Sequence, residues 1–161
     1  IHFIINNGPY YAKYTTEFVH EKWDQTSDNN VVLAFLSRSY HESVKNKNAY
    51  FLTQIGGEVS NKKDLSKELL FYSRPKGVYK GADTERVLLD FYLVNTSLAP
   101  NGNKVKVTIQ GTEFLIDEWA PYYIEGLPKG EISIKLELID SKGNLINSPF
   151  NPSKRTVVLE D

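Results

Sequence analysis

Residues 104–110 read Lys-Val-Lys-Val-Thr-Ile-Gln, with Val105, Val107 and Ile109 at every second position. In an extended strand that spacing puts the apolar side chains on one face and the polar ones on the other. A helix of period 3.6 cannot collect them on one side. Residues 131–139 do the same with Ile132, Ile134, Leu136 and Leu138 set against Ser133, Lys135 and Glu137. Residues 87–94 are a continuous run of β-formers, and 156–159 are a short terminal strand. Asn101-Gly102, Gln110-Gly111, Lys129-Gly130 and Lys142-Gly143 punctuate the runs as turns. The one helix-like stretch, 62–70, is short and reads as a linker entering a strand. The pattern predicts an all-β protein.

The pattern also occurs twice. Ile1, Phe3 and Ile5 alternate, Asn6-Asn7-Gly8 turns, and residues 10–18 follow. Val105, Val107 and Ile109 alternate, Gln110-Gly111 turns, and residues 113–116 follow. A long strand comes next in each copy, at 31–39 and 132–140, then a polar hairpin and a closing strand, at 49–54 and 156–159. Such repetition governs the architecture. The second copy alone is preceded by two further strand segments, 69–73 and 86–95. About seven strands over residues 69–161 match an immunoglobulin-like β-sandwich. The expected organisation is two tandem immunoglobulin-like modules, 1–57 and 69–161, joined by a linker at 58–68. The first module lacks its N-terminal strands. Those strands are expected upstream in a precursor, on another segment, or from a partner chain, because an uncovered apolar sheet face is avoided. Ile1, Phe3 and Ile5 form an alternating apolar face that places the first strand inside a sheet, and Phe3, Leu33 and Phe35 are expected to pack together.

Several sequence runs carry a resemblance. The stretch Tyr72-Ser73-Arg74-Pro75-Lys76-Gly77-Val78-Tyr79-Lys80-Gly81, followed by a β-run, resembles the opening of bacterial immunoglobulin-like envelope modules. His2-Phe3-Ile4-Ile5-Asn6-Asn7-Gly8-Pro9-Tyr10 and the later residues 33–42 resemble small exported β-sandwich domains with a His-bearing strand before the turn and another His in a late hairpin. The whole chain is similar to two-module lipoproteins of Bacteroidota. The resemblance implies export to the periplasm or cell surface, with lipid anchoring upstream of the chain. It departs from those domains in keeping one His of the His-rich strand, and in having Lys106 and Lys142 in the comparable regions of the second copy.

Composition excludes other classes. Nineteen Lys+Arg against 20 Asp+Glu leave a net charge of -1, without the basic excess that a nucleic-acid partner demands. No Cys is present, which removes disulfides, thiol nucleophiles and Cys-based zinc or iron–sulfur sites. No Met is present and the chain begins at Ile1, which reads as a piece of a longer precursor.

The three histidines are His2, His20 and His41. If the strand of His2 pairs antiparallel with the one ending near His41, the two imidazoles meet, with Tyr40 and Glu42 adjacent. His2, His41 and Glu42 are thus a candidate set for Zn²⁺ or Cu²⁺, although no His-x₃-His spacing supports it. The other reading is a pair of surface histidines at a sheet end. Arg38 is a candidate grip for a carboxylate or phosphate, with Tyr40, Tyr10 and Trp119 as further ligand-binding candidates. Tyr10, Tyr11, Tyr14, Phe18 and Trp23, then Phe114, Trp119, Tyr122 and Tyr123, form two aromatic clusters that suit either glycan stacking or core packing. The serines at 37, 39 and 43 lack a Gly-x-Ser-x-Gly context, and the pairs Asp117-Glu118 and Asp83/Glu85 read as solvated charges. The expected function is a non-enzymatic, exported interaction or scaffold module with a protein partner in the cell envelope. The alternatives are a metal- or ligand-binding envelope protein using His2 and His41, and a carbohydrate-binding module.

Overall fold

The structure, a computed structural model, describes residues 1–21 and 28–161. Its strands are β1 (His2–Ile5), β2 (Tyr11–Ala12), β3 (Asn30–Phe35), β4 (Tyr50–Ile55), β5 (Leu69–Arg74), β6 (Val78–Lys80), β7 (Arg86–Val94), β8 (Lys104–Ile109), β9 (Thr112–Ile116), β10 (Tyr122–Glu125), β11 (Gly130–Ile139) and β12 (Ser153–Glu160). Among the described residues, the helical ones form two short 3-10 turns, Val59–Asn61 and Gly81–Thr84. No helix among the described residues is long and apolar enough to cross a membrane. The chain is all-β.

Three sheets form, ordered β2-β1-β3-β4, β10-β7-β5 and β6-β12-β11-β8-β9. All pairings are antiparallel except β6 on β12. The middle sheet is apolar on both faces because it is covered on both. Along β5 the side chains alternate between two cores. Leu70 and Tyr72 meet Val105, Val107, Leu136 and Leu138 of the third sheet. Leu69 and Phe71, with Tyr92 and Val94 of β7, meet Ile4, Val31, Leu33 and Phe35 of the first. This double burial is why residues 87–94 read as an unbroken apolar run. The middle and third sheets make an immunoglobulin-like sandwich, and the first sheet is a further layer on its back.

The internal repeat is a repeat of topology and register. The order β2-β1-β3-β4 recurs as β9-β8-β11-β12. Val32 faces Ile5 and Thr53 as Ile134 faces Ile109 and Arg155. The turn after β1 places Asn6 and Asn7 at φ 49° and 57°, and the turn after β8 places Gln110 and Gly111 at 49° and 88°. The Asn6 amide donates to the Val31 carbonyl while the Val31 amide donates to Asn6 Oδ1. Gln110 and Ser133 exchange the same two bonds.

The two copies pack with opposite faces. In the third sheet Val107, Ile134 and Leu136 point into the sandwich. Their counterparts by register are Phe3, Val32 and Ala34, which lie on the face turned away from the middle sheet. The expectation that Phe3 packs with Leu33 and Phe35 is therefore corrected. Phe3 stacks on Tyr11 and Phe18, with His20 edge-on, on the outer side. Ile4, Leu33 and Phe35 point inward. The face that would close a first sandwich is thus on the outside, and the first sheet's other face is covered by another segment, the back of β5 and β7. Residues 58–68 lie in the connection from β4 to β5 and include the turn Val59–Asn61.

Candidate functional site

The connection between β3 and β4 builds one wall of the site. Its tip is closed by the Arg38 amide donating to the Glu42 carbonyl and the His41 amide donating to the Arg38 carbonyl. The second copy closes the corresponding hairpin with Asp140, Asn144 and Gly143. His41 has φ 71° where its counterpart Gly143 has φ 86°. An L-residue in this left-handed region is held at a cost of about 1–2 kcal/mol. Glycine suits the turn, and this copy places an imidazole there instead.

The hairpin is held firmly to the middle sheet. The Ser43 hydroxyl donates to Asp90 Oδ1 at 3.0 Å, and Lys45 Nζ lies 2.6 Å from the same oxygen. Asp90 and Ser43 are fully buried. The Tyr92 hydroxyl donates to the carbonyls of Asn46 and Val44. Four side chains of β7 and the hairpin thus fix the position of His41.

The register of β1 on β3 puts His2 opposite Phe35, on the inward face. His2 is buried, and its ring stacks on Tyr10 with centroids 4.0 Å apart. His2 Nε2 lies 3.2 Å from His41 Nδ1. His2 Nδ1 is buried without a hydrogen-bond partner. The tautomer that leaves no buried N–H orphaned carries the His2 proton on Nε2, donated to His41 Nδ1. His41 is then protonated on Nε2, which points away from His2. Burial, then the nearby His41, pushes the His2 pKa down to about 3. Burial, then the charges of Arg74 and Lys76, lowers His41 as well.

Cations complete the site. The Arg74 guanidinium donates to the Tyr10 hydroxyl from Nε and Nη2, at 3.0 and 2.6 Å. Lys76 Nζ donates to the Tyr10 carbonyl at 2.8 Å and sits 3.8 Å from the Tyr10 ring centroid. Behind them, Arg155 donates to the carbonyls of Tyr72, Ser73, Pro75 and Asn7. Among the described residues none of these three cations has a carboxylate within ion-pair distance. Burial, then Arg74 and Arg155, lowers the Lys76 pKa. A cleft of about 430 Å³ is lined by Tyr40, His41, Arg74 and Lys76, together with Arg86 and Tyr123. Asp83 is the carboxylate that lines it.

The structure thus brings His2, His41, Tyr10 and Tyr40 together and separates the other candidates. Glu42 pairs with Arg38 at 3.6 Å. Among the described residues no group of three His, Asp or Glu converges as a metal site would require. Arg38 is exposed at the hairpin tip. The Trp119 indole donates to the Phe91 carbonyl at 2.9 Å and packs against both cores, so its ring bridges layers. Trp23 lies outside the described residues. Arg74, Lys76 and Arg155 were not foreseen as site residues. The available signal was residues 74–81, which hold Arg74, Lys76 and Lys80 with no acidic residue.

No family model and no curated protein matches the chain. Among solved structures, it is similar to the Clostridium thermocellum CbhA fibronectin(III)-like modules. The likeness has 13% identity and a TM-score of 0.43, over 57% of this chain and 97% of that one.

Proposed function

We propose that the chain is a non-enzymatic interaction and scaffold module of an exported cell-envelope protein, joined to a protein partner through the outer face of its first sheet. The observation that carries this reading is the inversion of the repeat. Ile1, Phe51 and Ile55 lie on the face whose counterpart is the inside of a sandwich, and they are 42%, 65% and 47% exposed. The partner is a β-sheet, packed there as the middle sheet packs on β8 and β11. Burying such a face is favourable by about 25 cal/mol per Å².

The polar groups favour binding over catalysis. The Ser43–Lys45–Asp90 cluster holds a hydroxyl, an amine and a carboxylate in contact, but Ser43 is fully buried, so no substrate reaches its oxygen. The Ser37 hydroxyl is bonded to the carbonyls of Arg38 and Glu42. A metal reading of His2 and His41 is disfavoured by the positive charges of Arg74 and Lys76, which oppose a cation.

The test is sedimentation velocity across a concentration series for the wild type and Phe51→Glu, with dye binding to exposed apolar surface as a second readout. The expected result is concentration-dependent association and dye binding in the wild type, both reduced in Phe51→Glu with its cooperative unfolding retained. A wild type that stays monomeric and binds no dye overturns the reading.

A further inference from the structure

The geometry points to a second site, independent of the sheet face: the cleft beside the β3–β4 hairpin binds an oxyanion, a carboxylate or phosphate group, between Arg74, Lys76 and His41. Three observations converge on it. Arg74 and Lys76 are half-buried cations with no carboxylate partner among the described residues, backed by a third, Arg155. Placing like charges together at partial burial is unfavourable unless an anion compensates them. The groups they do touch are neutral: Tyr10 accepts from both, through its hydroxyl and its carbonyl. Each cation therefore keeps donor hydrogens for a ligand, since Arg has five and Lys three.

His41 adds a neutral donor. Its Nδ1 faces the buried His2 at 3.2 Å, and this turns the Nε2 proton away from His2. The backbone holds it there at φ 71°, and the Asp90 and Tyr92 contacts keep the hairpin in place. Strain kept at a position where the repeat uses glycine marks a side chain placed for a purpose. The remaining cation of the cleft, Arg86, is already paired with Glu125 at 3.0 Å, and Asp83 carries the one opposing charge of the lining. Among the described residues, the cations of the lining without an ion-pair partner are therefore Arg74 and Lys76. Tyr40, 53% exposed, flanks the opening as a flat surface for the group that bears the oxyanion.

The test is a titration of the intact chain with inorganic phosphate and, separately, with acetate, at constant ionic strength set with chloride. The imidazole NMR signals are the readout. Only three histidines are present, so His41, His2 and His20, which packs on Phe3 and Tyr11 and does not line the cleft, are resolved together. The expected result is a saturable shift of His41, smaller in His2 and absent in His20. Lys76→Gln is expected to weaken it about tenfold, in line with loss of one charge-assisted contact. Tighter binding of phosphate assigns the site to phosphate esters; tighter binding of acetate assigns it to acidic side chains or chain ends. Phe51→Glu is expected to leave the titration unchanged, so failure here and failure of the docking face are told apart. Arg74 and Lys76 both support Tyr10, through its hydroxyl and its carbonyl, so Lys76→Gln, which keeps a hydrogen-bond donor, and His41→Phe are the variants of choice, each checked for an unchanged unfolding midpoint. A non-saturating shift shared by all three histidines, or saturation unaltered in Lys76→Gln, read at His41, and in His41→Phe, read at His2, overturns the proposal.

Discussion

Acidification acts on His2 in a way that the structure makes calculable. Its imidazole is buried against Tyr10 and Phe35. Burial, with the charge of neighbouring groups, brings its pKa from 6.5 to about 3. Below 6.5 the unfolded chain takes up a proton that the folded chain refuses. Stability is therefore fully present above about pH 6.5 and falls as pH drops toward 3. At about 1.36 kcal/mol per pH unit, the loss is about 2 kcal/mol at pH 5, a large part of a typical stability of about 5–15 kcal/mol. Replacing His2 by Phe keeps a flat ring on Tyr10 and removes the titrating group. Urea unfolding of both proteins from about pH 8 to pH 5 is the assay. The expected outcome is that the wild type loses about 2 kcal/mol more than His2→Phe over this range, with equal denaturant slopes. Parallel stability curves would show that His2 is protonated in the folded protein and would refute the burial argument.

The hairpin turn gives the second prediction. His41→Gly is expected to be more stable than His41→Ala by about 1 kcal/mol, because only glycine relieves φ 71°; Gly143→Ala is expected to cost a similar amount, and equal stabilities in either comparison would show that the turn is not strained. For the buried ion pair, Lys45→Met leaves the fully buried Asp90 unpaired and is expected to cost about 3–5 kcal/mol by thermal unfolding. The exposed pair of Arg86 with Glu125 serves as contrast, with Arg86→Ala expected to cost less than about 1 kcal/mol. Leu136 is fully buried in the sandwich core, and Leu136→Ala is expected to cost about 2–5 kcal/mol in urea unfolding; a cost near zero would contradict its inward orientation.

The fold was legible where one face of a strand meets water. β8 and β11 alternate because their outer faces carry Lys106, Thr108, Lys135 and Glu137 to solvent. The repeat was legible for the same reason, since the turns and strands of both copies come in the same order. What the pattern could not show is which face of β1 and β3 turns inward. Ile4, Leu33 and Phe35 pack against the middle sheet, while Phe3 and Ile5 are also largely covered on the other side. With apolar residues at successive positions, alternation has no sign, and a one-residue shift in reading exchanges the faces. β6 and β10 are short edge strands of three and four residues, and residues 119–123 read as an aromatic cluster before they read as a strand.

The candidate site divides along the same line. The meeting of His2 and His41 follows from strand order alone, because the start of β1 lies beside the end of β3. Arg74 and Lys76 come from the end of β5 and the connection after it, which reach the histidines only because the first sheet lies across the back of the middle one. That layer contact is recorded in no local pattern: it depends on Leu69, Phe71, Tyr92 and Val94 having a second apolar face to offer. Once the layers are stacked, Tyr10 becomes the joint between them. Its ring carries His2 from the first sheet and its oxygens carry Arg74 and Lys76 from the second. The cleft therefore exists only while both sheets are docked. Anything that separates them disperses its charge as well as its shape.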